Sequence, residues 1–354
     1  MHIERRKTRA VRIGNFFIGG NYPVLIQSMT KYKTSDLAKV VKQIQQLQGA
    51  GCEVLRLSVK DNLDALAIKK IKKQVKLPLV ADIHFDYRLA LKAIDSGADK
   101  IRLNPGNIYK KEEIKEVVAA LKSAQIPLRI GLNSGSVRDL GVKGMPDKLV
   151  HSALAYIKVI EELRFHNIVV SLKASNVLDT VEAYRKLARV IDYPLHLGLT
   201  ATGSPFAGAL KSSVALGALL LEGIGDTIRV SLTDSPIREV YAAKTILESL
   251  GLRNFGHTLI SCPTCGRCEV NLVKIVKELE EKLQLQNKRI SSTKFKSIAL
   301  MGCVVNGPGE AKEADIGIAF GKKDGVLFKK GKAIRKIAYN NCVEVLLKEV
   351  SNKD

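Results

Sequence analysis

Tryptophan is absent from this 354-residue chain, and aromatic residues make up only 5% of it. Few flat side chains are left to stack on bases, which argues against a nucleic-acid binder. Acidic residues are also short: 35 Asp and Glu face 57 Lys and Arg, a formal net charge of +22. Such an excess suits nucleic acid, an acidic partner or an anionic small molecule. The lysines are spread over helix-like segments rather than gathered in a basic tail. An anionic small substrate or an acidic protein partner fits better, a merely basic surface fits equally well, and no nucleic-acid partner is expected. No stretch approaches the roughly 20 apolar residues that span a bilayer. The charged opening Met1-His2-Ile3-Glu4-Arg5-Arg6-Lys7 does not read as a signal peptide. The expectation is a cytoplasmic protein without membrane contact. Six cysteines do not form a disulfide framework in a chain of this size; clustered in a reducing compartment, they serve metal or redox chemistry. Cys52 and Cys342 lie among apolar residues and read as core.

What the chain does contain is rhythm. Over residues 1–250 short apolar runs alternate with longer amphipathic stretches, the pattern of repeated β-α units on a parallel sheet. Candidate strands are Val24–Met29, Glu53–Val59, Pro78–Ile83, Lys100–Asn104, Pro127–Asn133, Ile168–Lys173, Pro194–Thr200 and Thr227–Leu232. Eight such units in this length predict an α/β chain that begins with a TIM (β/α)8 barrel. Near the strand ends stand Gln27 and Ser28, Arg56 and Ser58, Asp82 and His84, Arg102 and Asn104, Arg129 and Asn133, Ser171 and Lys173, Thr200, then Arg229 and Ser231. In a barrel those ends converge on the face that carries the active site. Arg56, Arg102, Arg129 and Lys173 would ring one mouth with cations, which suits phosphate oxygens. A lone arginine at a strand end is ordinarily a surface residue; four at equivalent positions point to a collective phosphate site. The turns at 104–107 and 133–136 could add backbone N–H donors. There is no P-loop and no Rossmann fingerprint.

After Leu252 the rhythm changes, so one domain is assigned to residues 1–254 and a second, small α+β domain to 255–354. The second opens on Cys262-Pro263-Thr264-Cys265-Gly266-Arg267-Cys268. An amphipathic helix is expected over about 270–285, a polar linker over Gln286–Thr293 and a strand over Lys296–Met301. The strand runs into a Gly/Pro-rich loop, Gly302-Cys303-Val304-Val305-Asn306-Gly307-Pro308-Gly309-Glu310. Strands at 315–320 and 326–329 and a last helix from about 341 complete the domain. Soft thiolates favour zinc or iron–sulfur clusters, and the spacing leaves both open. Cys262, Cys265, Cys268 and Cys303 could complete a tetrahedral zinc site. The run also differs from bacterial ferredoxins, whose closing Cys-Pro is missing here.

These two cysteine motifs, with Gln27-Ser28-Met29-Thr30, Ala81-Asp82-Ile83-His84, Arg102-Leu103-Asn104-Pro105-Gly106-Asn107 and Gly223-Ile224-Gly225-Asp226-Thr227, strongly resemble the 4-hydroxy-3-methylbut-2-enyl diphosphate synthase family over nearly the whole chain. The resemblance implies a [4Fe–4S] cluster on Cys262, Cys265, Cys303 and Glu310, with Cys268 a bystander. It implies reductive ring opening and dehydration of 2-C-methyl-D-erythritol 2,4-cyclodiphosphate in non-mevalonate isoprenoid biosynthesis. Electrons would come from ferredoxin or flavodoxin. The enzyme would be a homodimer in which the cluster domain of one subunit caps the other's barrel. Arg56, Arg102, Asn104, Arg129, Asn133, Lys173 and Ser231 would hold substrate, with Glu310, His84 and Asp82 as catalytic groups. One departure stands out: the family carries Thr-Glu-Ala-Gly where this chain reads Thr200-Ala201-Thr202-Gly203. Without that glutamate either its proton delivery matters less or a proton must come from elsewhere, with His84, Asp82, Asp234 or a bound water as candidates.

Overall fold

The computed structural model describes residues 3–137, 141–286 and 295–351. The chain divides into two compact units, Met1–Asn254 and Phe255–Asp354.

The first unit opens with a short antiparallel hairpin of β1 (Val11–Ile13) and β2 (Phe16–Ile18). Parallel strands follow: β3 (Leu25–Met29), β4 (Val54–Val59), β5 (Leu79–Ile83), β6 (Lys100–Leu103), β7 (Leu128–Asn133), β8 (Ile168–Lys173), β9 (His196–Leu197) and β10 (Thr227–Ile228). They form one 8-stranded sheet in the order β8-β7-β6-β5-β4-β3-β10-β9. A bridge between Val170 and Leu195 joins its two ends. This is the TIM barrel expected from the repeats. The last two strands are only two residues long, against the seven and six residues of the runs Pro194–Thr200 and Thr227–Leu232.

Helices α1 (Leu37–Ala50), α2 (Asn62–Lys72), α3 (Tyr87–Asp95), α4 (Lys111–Ala124), α5 (Met145–Glu162), α6 (Val177–Ala188), α7 (Pro205–Leu221) and α8 (Pro236–Ser249) follow the strands in turn. Their starts are written locally. Asp36, Asp61, Asp86, Asn176, Ser204 and Ser235 each accept a backbone N–H of the following turn. This is how short polar side chains satisfy otherwise orphaned donors at a helix start. Pro205 and Pro236 then occupy first-turn positions, where a missing N–H costs nothing.

Residues at alternate strand positions face the barrel interior. At the N-terminal end of the strands these are Leu25, Val54, Val80 and Val169, packed against Val11, Ile13 and Ile18 of the hairpin. All seven are buried. Each buried aliphatic side chain is worth about 1.5–3 kcal/mol, so the hairpin is a floor held to the barrel by apolar packing. Sequence reading did not foresee it, because three-residue strands carry too little pattern.

The second unit holds a 5-stranded sheet in the order β11-β12-β13-β14-β15. Its strands are β11 (Thr258–Ser261), β12 (Ser297–Met301), β13 (Ile316–Phe320), β14 (Asp324–Lys329) and β15 (Lys332–Ala338), the first three parallel and the rest antiparallel. Helices α9 (Leu272–Gln286) and α11 (Cys342–Ser351) share the core with the sheet through Leu272, Ile275, Leu279, Ile318, Val343 and Leu346. Strands β11 and β15 go beyond the elements expected, and the polar linker expected over Gln286–Thr293 lies mostly outside the described residues. A further correction concerns the end of the loop expected over Gly302–Glu310, within the segment Gly307–Glu313. That segment forms a short helix, α10, with Pro308 in its first turn and Glu310 on its surface. Among the described residues no helix is long and apolar enough to cross a membrane.

Candidate active site and metal-binding cavity

At the other end of the barrel the inward positions turn polar. Asp82 on β5 is buried and gathers three partners. Arg102 Nη1 donates to its Oδ1 at 3.0 Å, Arg56 Nε lies 3.6 Å from Oδ2, and His84 Nε2 lies 3.3 Å from Oδ2. Burial pushes the Asp82 carboxyl up, but Arg56 and Arg102 together outweigh it and hold the group well below the usual carboxylate range. Asp82 is therefore an anion. His84 Nε2 also lies 3.1 Å from Arg102 Nη1. One ring nitrogen can donate to Asp82 or accept from Arg102, not both in one tautomer.

The other predicted cations stand with this group. Arg129 is fully buried, its Nη1 donating to Gln27 Oε1 at 3.4 Å, while Nε and Nη2 have no partner. Lys173 is buried, and burial first, then Arg56, Arg229 and Arg129, depress its pKa well below the ordinary lysine value. Two glycines make the crowding sterically feasible. A Cβ on Gly131 would sit 2.2 Å from Arg102 Nε, and one on Gly198 would sit 2.8 Å from Lys173 Nζ. Only a residue without a side chain fits either inward position.

Asn104, Asn133 and Ser231 lie at the same end. The Asn104 amide is engaged at both ends: Nδ2 donates to Ser136 Oγ at 3.0 Å and Oδ1 accepts from Gly106 N at 3.1 Å. It thus fastens the turns after β6 and β7 to each other. The Asn133 backbone carbonyl accepts from Ser136 Oγ at 3.3 Å, and the Ser231 carbonyl accepts from Thr202 Oγ1 at 2.7 Å.

Sequence reasoning left three residues out of the cationic group. Arg229 is pushed down to about 10 by burial and then Arg56, and its Nε lies 3.6 Å from Glu239 Oε2. Lys100 is fully buried with no partner for Nζ, and His196 is fully buried with none for Nε2. Alternation was the available signal. Lys100 precedes Arg102 by two, and His196 precedes Gly198 by two, so each shares an inward face.

In the second unit, Cys262, Cys265, Cys303 and Glu310 line one cavity of ≈ 210 Å³, with Arg267 and Asn306 among its other walls. Cys262 and Cys265 come from the turn after β11, with Thr264 between them in the left-handed region (φ 66°). Cys303 follows β12, and Glu310 comes from α10. Gly302 N donates to Cys262 Sγ at 3.4 Å. The backbone N–H groups of Val305, Asn306 and Gly307, with Arg267 nearby, lower the Cys303 pKa from its ordinary value. Cys268 is not part of this cavity wall. Its thiol donates to Val270 O at 3.2 Å, and it packs so closely on Gly302 that a Cβ there would stand 2.4 Å from its sulfur. Among the described residues no group of three His, Cys, Asp or Glu could hold a single metal ion. The donors surround a space rather than converge on a point.

A closed barrel with one cation-lined end, followed by a unit that gathers cysteines and a glutamate around a cavity, defines a barrel enzyme for an anionic substrate with an appended metal-cofactor unit. Comparison with known proteins makes this particular. The model of the GcpE TIM-barrel domain matches residues 8–244, and that of the GcpE protein C-terminal domain matches residues 258–352. The chain belongs to the GcpE family. A relative from Fusobacterium nucleatum subsp. nucleatum, named 4-hydroxy-3-methylbut-2-en-1-yl diphosphate synthase (flavodoxin), is 53% identical over 350 residues, covering 98% of this chain and 97% of that protein. One of the same name from Clostridium perfringens is 51% identical over 350 residues, covering 98% and 99%. Among solved structures, the Yersinia pestis dihydropteroate synthase aligns with a TM-score of 0.52 at 10% identity, over 68% of this chain and 98% of that one. At that identity the likeness shows the barrel fold alone.

Proposed function

We propose that the protein is a flavodoxin-dependent 4-hydroxy-3-methylbut-2-enyl diphosphate synthase of non-mevalonate isoprenoid biosynthesis, acting on 2-C-methyl-D-erythritol 2,4-cyclodiphosphate. Two electrons and two protons enter, the ring C–O bond to phosphate breaks, and one water leaves. The relatives that print this name and the electron donor cover nearly the whole chain. The observation that carries the reading is the pair of donor sets: cations at one end of the barrel, and three thiols with a carboxylate around one cavity.

The residues fit a [4Fe–4S] cluster. Such clusters are held by cysteine thiolates, and the amides over Cys303 favour its thiolate form. A single ion needs donors within about 2.0–2.3 Å of one point, whereas the irons of a cluster are spread, as are these donors. Cys262, Cys265 and Cys303 would hold three irons and Glu310 the fourth. When bound, the cluster supplies the electrons and Lewis acidity toward oxygen. A carboxylate is a harder ligand than a thiolate, so the iron that Glu310 would hold would be the one more open to oxygen ligands.

In the barrel, Arg56, Arg102, Arg129 and Lys173 bind the diphosphate, with Arg229 beside them. The partnerless N–H groups of Arg129 supply donors that no protein acceptor competes for. Asn133 and Ser231 complete the substrate contacts, and Asn104 acts through the turns it fastens. Asp82, held ionised, cannot donate a proton; it orients Arg56, Arg102 and His84. His84, half-exposed between Asp82 and Arg102, is the proton-carrying group available in place of the family's glutamate. The enzyme works in the cytoplasm as a homodimer. Phe206, Leu210, Val214 and Leu221, all exposed along α7, give one apolar stripe for a second copy.

Anaerobic purification, a visible spectrum, and iron, sulfide and zinc assays test this. About four iron and four sulfide per chain, with turnover of the cyclodiphosphate by reduced flavodoxin, is the expected result. Stoichiometric zinc without sulfide, and no turnover, would overturn it.

A further inference from the structure

Behind the turn after β6 lies a second cavity, of ≈ 150 Å³, away from the cationic group. Its walls include the aliphatic side chains of Ile114, Leu132, Ala155 and Val159, with Ser152 and Tyr156 on the same α5 face. Both hydroxyls are buried, and neither has a hydrogen-bond partner. Buried polar groups are nearly always satisfied, so two hydroxyls left open beside one apolar cavity call for an oxygen. An apolar cavity of about this volume holds a molecule the size of benzene.

We propose that this cavity binds a small branched or cyclic alcohol of about six heavy atoms, its hydrocarbon body against Leu132 and Val159 and its oxygen between Ser152 Oγ and Tyr156 Oη. The cavity is coupled to the barrel end. Pro105 and Gly106 form another wall. Gly106 N donates to Asn104 Oδ1 at 3.1 Å, and Asn104 Nδ2 donates to Ser136 Oγ at 3.0 Å. Gly106 also lies so close to Ser136 that a Cβ would meet its carbonyl oxygen at 1.9 Å. A wall fastened this tightly cannot yield to an occupant without moving Asn104 and the turn after β7. Occupancy thus changes the affinity for diphosphate, and by linkage diphosphate changes the affinity for the alcohol by the same factor. This coupling rests on the reading of the barrel end as a diphosphate site; the alcohol site itself does not.

The test is a methyl and amide NMR titration of the full chain with 3-methylbut-2-en-1-ol and, separately, with 2-methylbut-2-ene. The methyl groups of Ile114, Leu132 and Val159 and the Gly106 amide should shift saturably with the alcohol. The hydrocarbon should bind at least about fivefold more weakly, the loss expected for a hydrogen-bonded oxygen. Ser152→Ala should erase part of that preference, and Ala155→Leu should fill the space and abolish the shifts. The Kd for inorganic diphosphate should differ at least about twofold with and without saturating alcohol. No saturable shift in the wild-type chain, or equal binding of alcohol and hydrocarbon, overturns the site. Methyl shifts with an unmoved Gly106 amide, or an unchanged diphosphate Kd, overturn the coupling. If diphosphate fails to bind at all, the barrel reading falls, while the methyl and amide shifts still decide the site and its link to the turn.

Discussion

Replacing Asp82 by asparagine should make the protein less stable and a better binder of anions. The change preserves side-chain size but removes the charge shared by Arg102, Arg56 and His84 at 3.0, 3.6 and 3.3 Å. Taking one partner from a buried pair costs about 3–5 kcal/mol, because the other charge stays buried. The side chains of Asp82 and Arg102 are 5% and 3% exposed, so the full figure applies to that pair; Arg56, at 12%, is partly relieved by solvent. For a unit of 254 residues, each kcal/mol moves Tm by about 2–4 °C, giving a drop of roughly 6–20 °C. The same charge opposes any anion bound among the arginines. At about 8 Å and an effective dielectric near 20, one unit pair is worth about 2 kcal/mol, so affinity for inorganic diphosphate should rise roughly 10–30-fold. Differential scanning calorimetry and isothermal titration measure the two effects. Since the Asp82 pKa is depressed in the folded state, its contribution is complete above the unfolded value and fades as pH falls through the folded one. The stability gap between wild type and variant should therefore narrow below about pH 4. An unchanged Tm together with weaker diphosphate binding would refute the reasoning.

Three further outcomes are expected. Cys303→Ala should lose most iron and sulfide on anaerobic purification, whereas Cys268→Ser, outside the cavity wall, should keep both; loss of sulfide in the latter would make Cys268 a ligand. Ala201→Glu, supplying the glutamate that the resemblance implies at this position, should raise kcat about tenfold or more if proton delivery limits turnover, read as steady-state turnover of the cyclodiphosphate; an unchanged kcat removes that position from the acid–base chemistry. In metal-free protein, the amides over Cys303 should bring the midpoint of its pH–alkylation profile with iodoacetamide below the ordinary thiol value of 9.0, and Val305→Pro, which deletes one N–H, should move it back up.

The barrel was legible because its polar residues obey strand alternation. Arg56 and Ser58, Asp82 and His84, and Arg102 and Asn104 are pairs two apart, so each pair faces inward. Strands β9 and β10 were overestimated because Gly198 and Arg229, which end them, trade ladder geometry for close approach: a Cβ on Gly198 would stand 2.8 Å from Arg229 O. Strand β15 escaped notice because its pattern is nearly uniformly exposed, with only Ile337 buried. The cysteines of the proposed cluster cavity stand out by spacing, but Glu310 reads as loop because Pro308 and Gly309 suggest helix breakers. Proline in a first turn breaks nothing, and that distinction depends on where the helix starts. Lys100 and His196 stayed hidden for a different reason. A buried polar atom with no partner, such as Lys100 Nζ or His196 Nε2, contradicts the rule by which cores are recognised, and only the folded barrel reveals the company it keeps.

The β1–β2 hairpin makes the barrel a vessel with one opening. With Val11, Ile13 and Ile18 sealed against the strand starts, molecules, ions and water that reach the interior must leave by the doorway they entered. Traffic through such a dead end is sequential. Product has to clear before fresh substrate can seat, and water displaced by an arriving anion must pass it on the way out. Product slow to depart would then inhibit simply by standing in the way, competing with substrate for the same doorway.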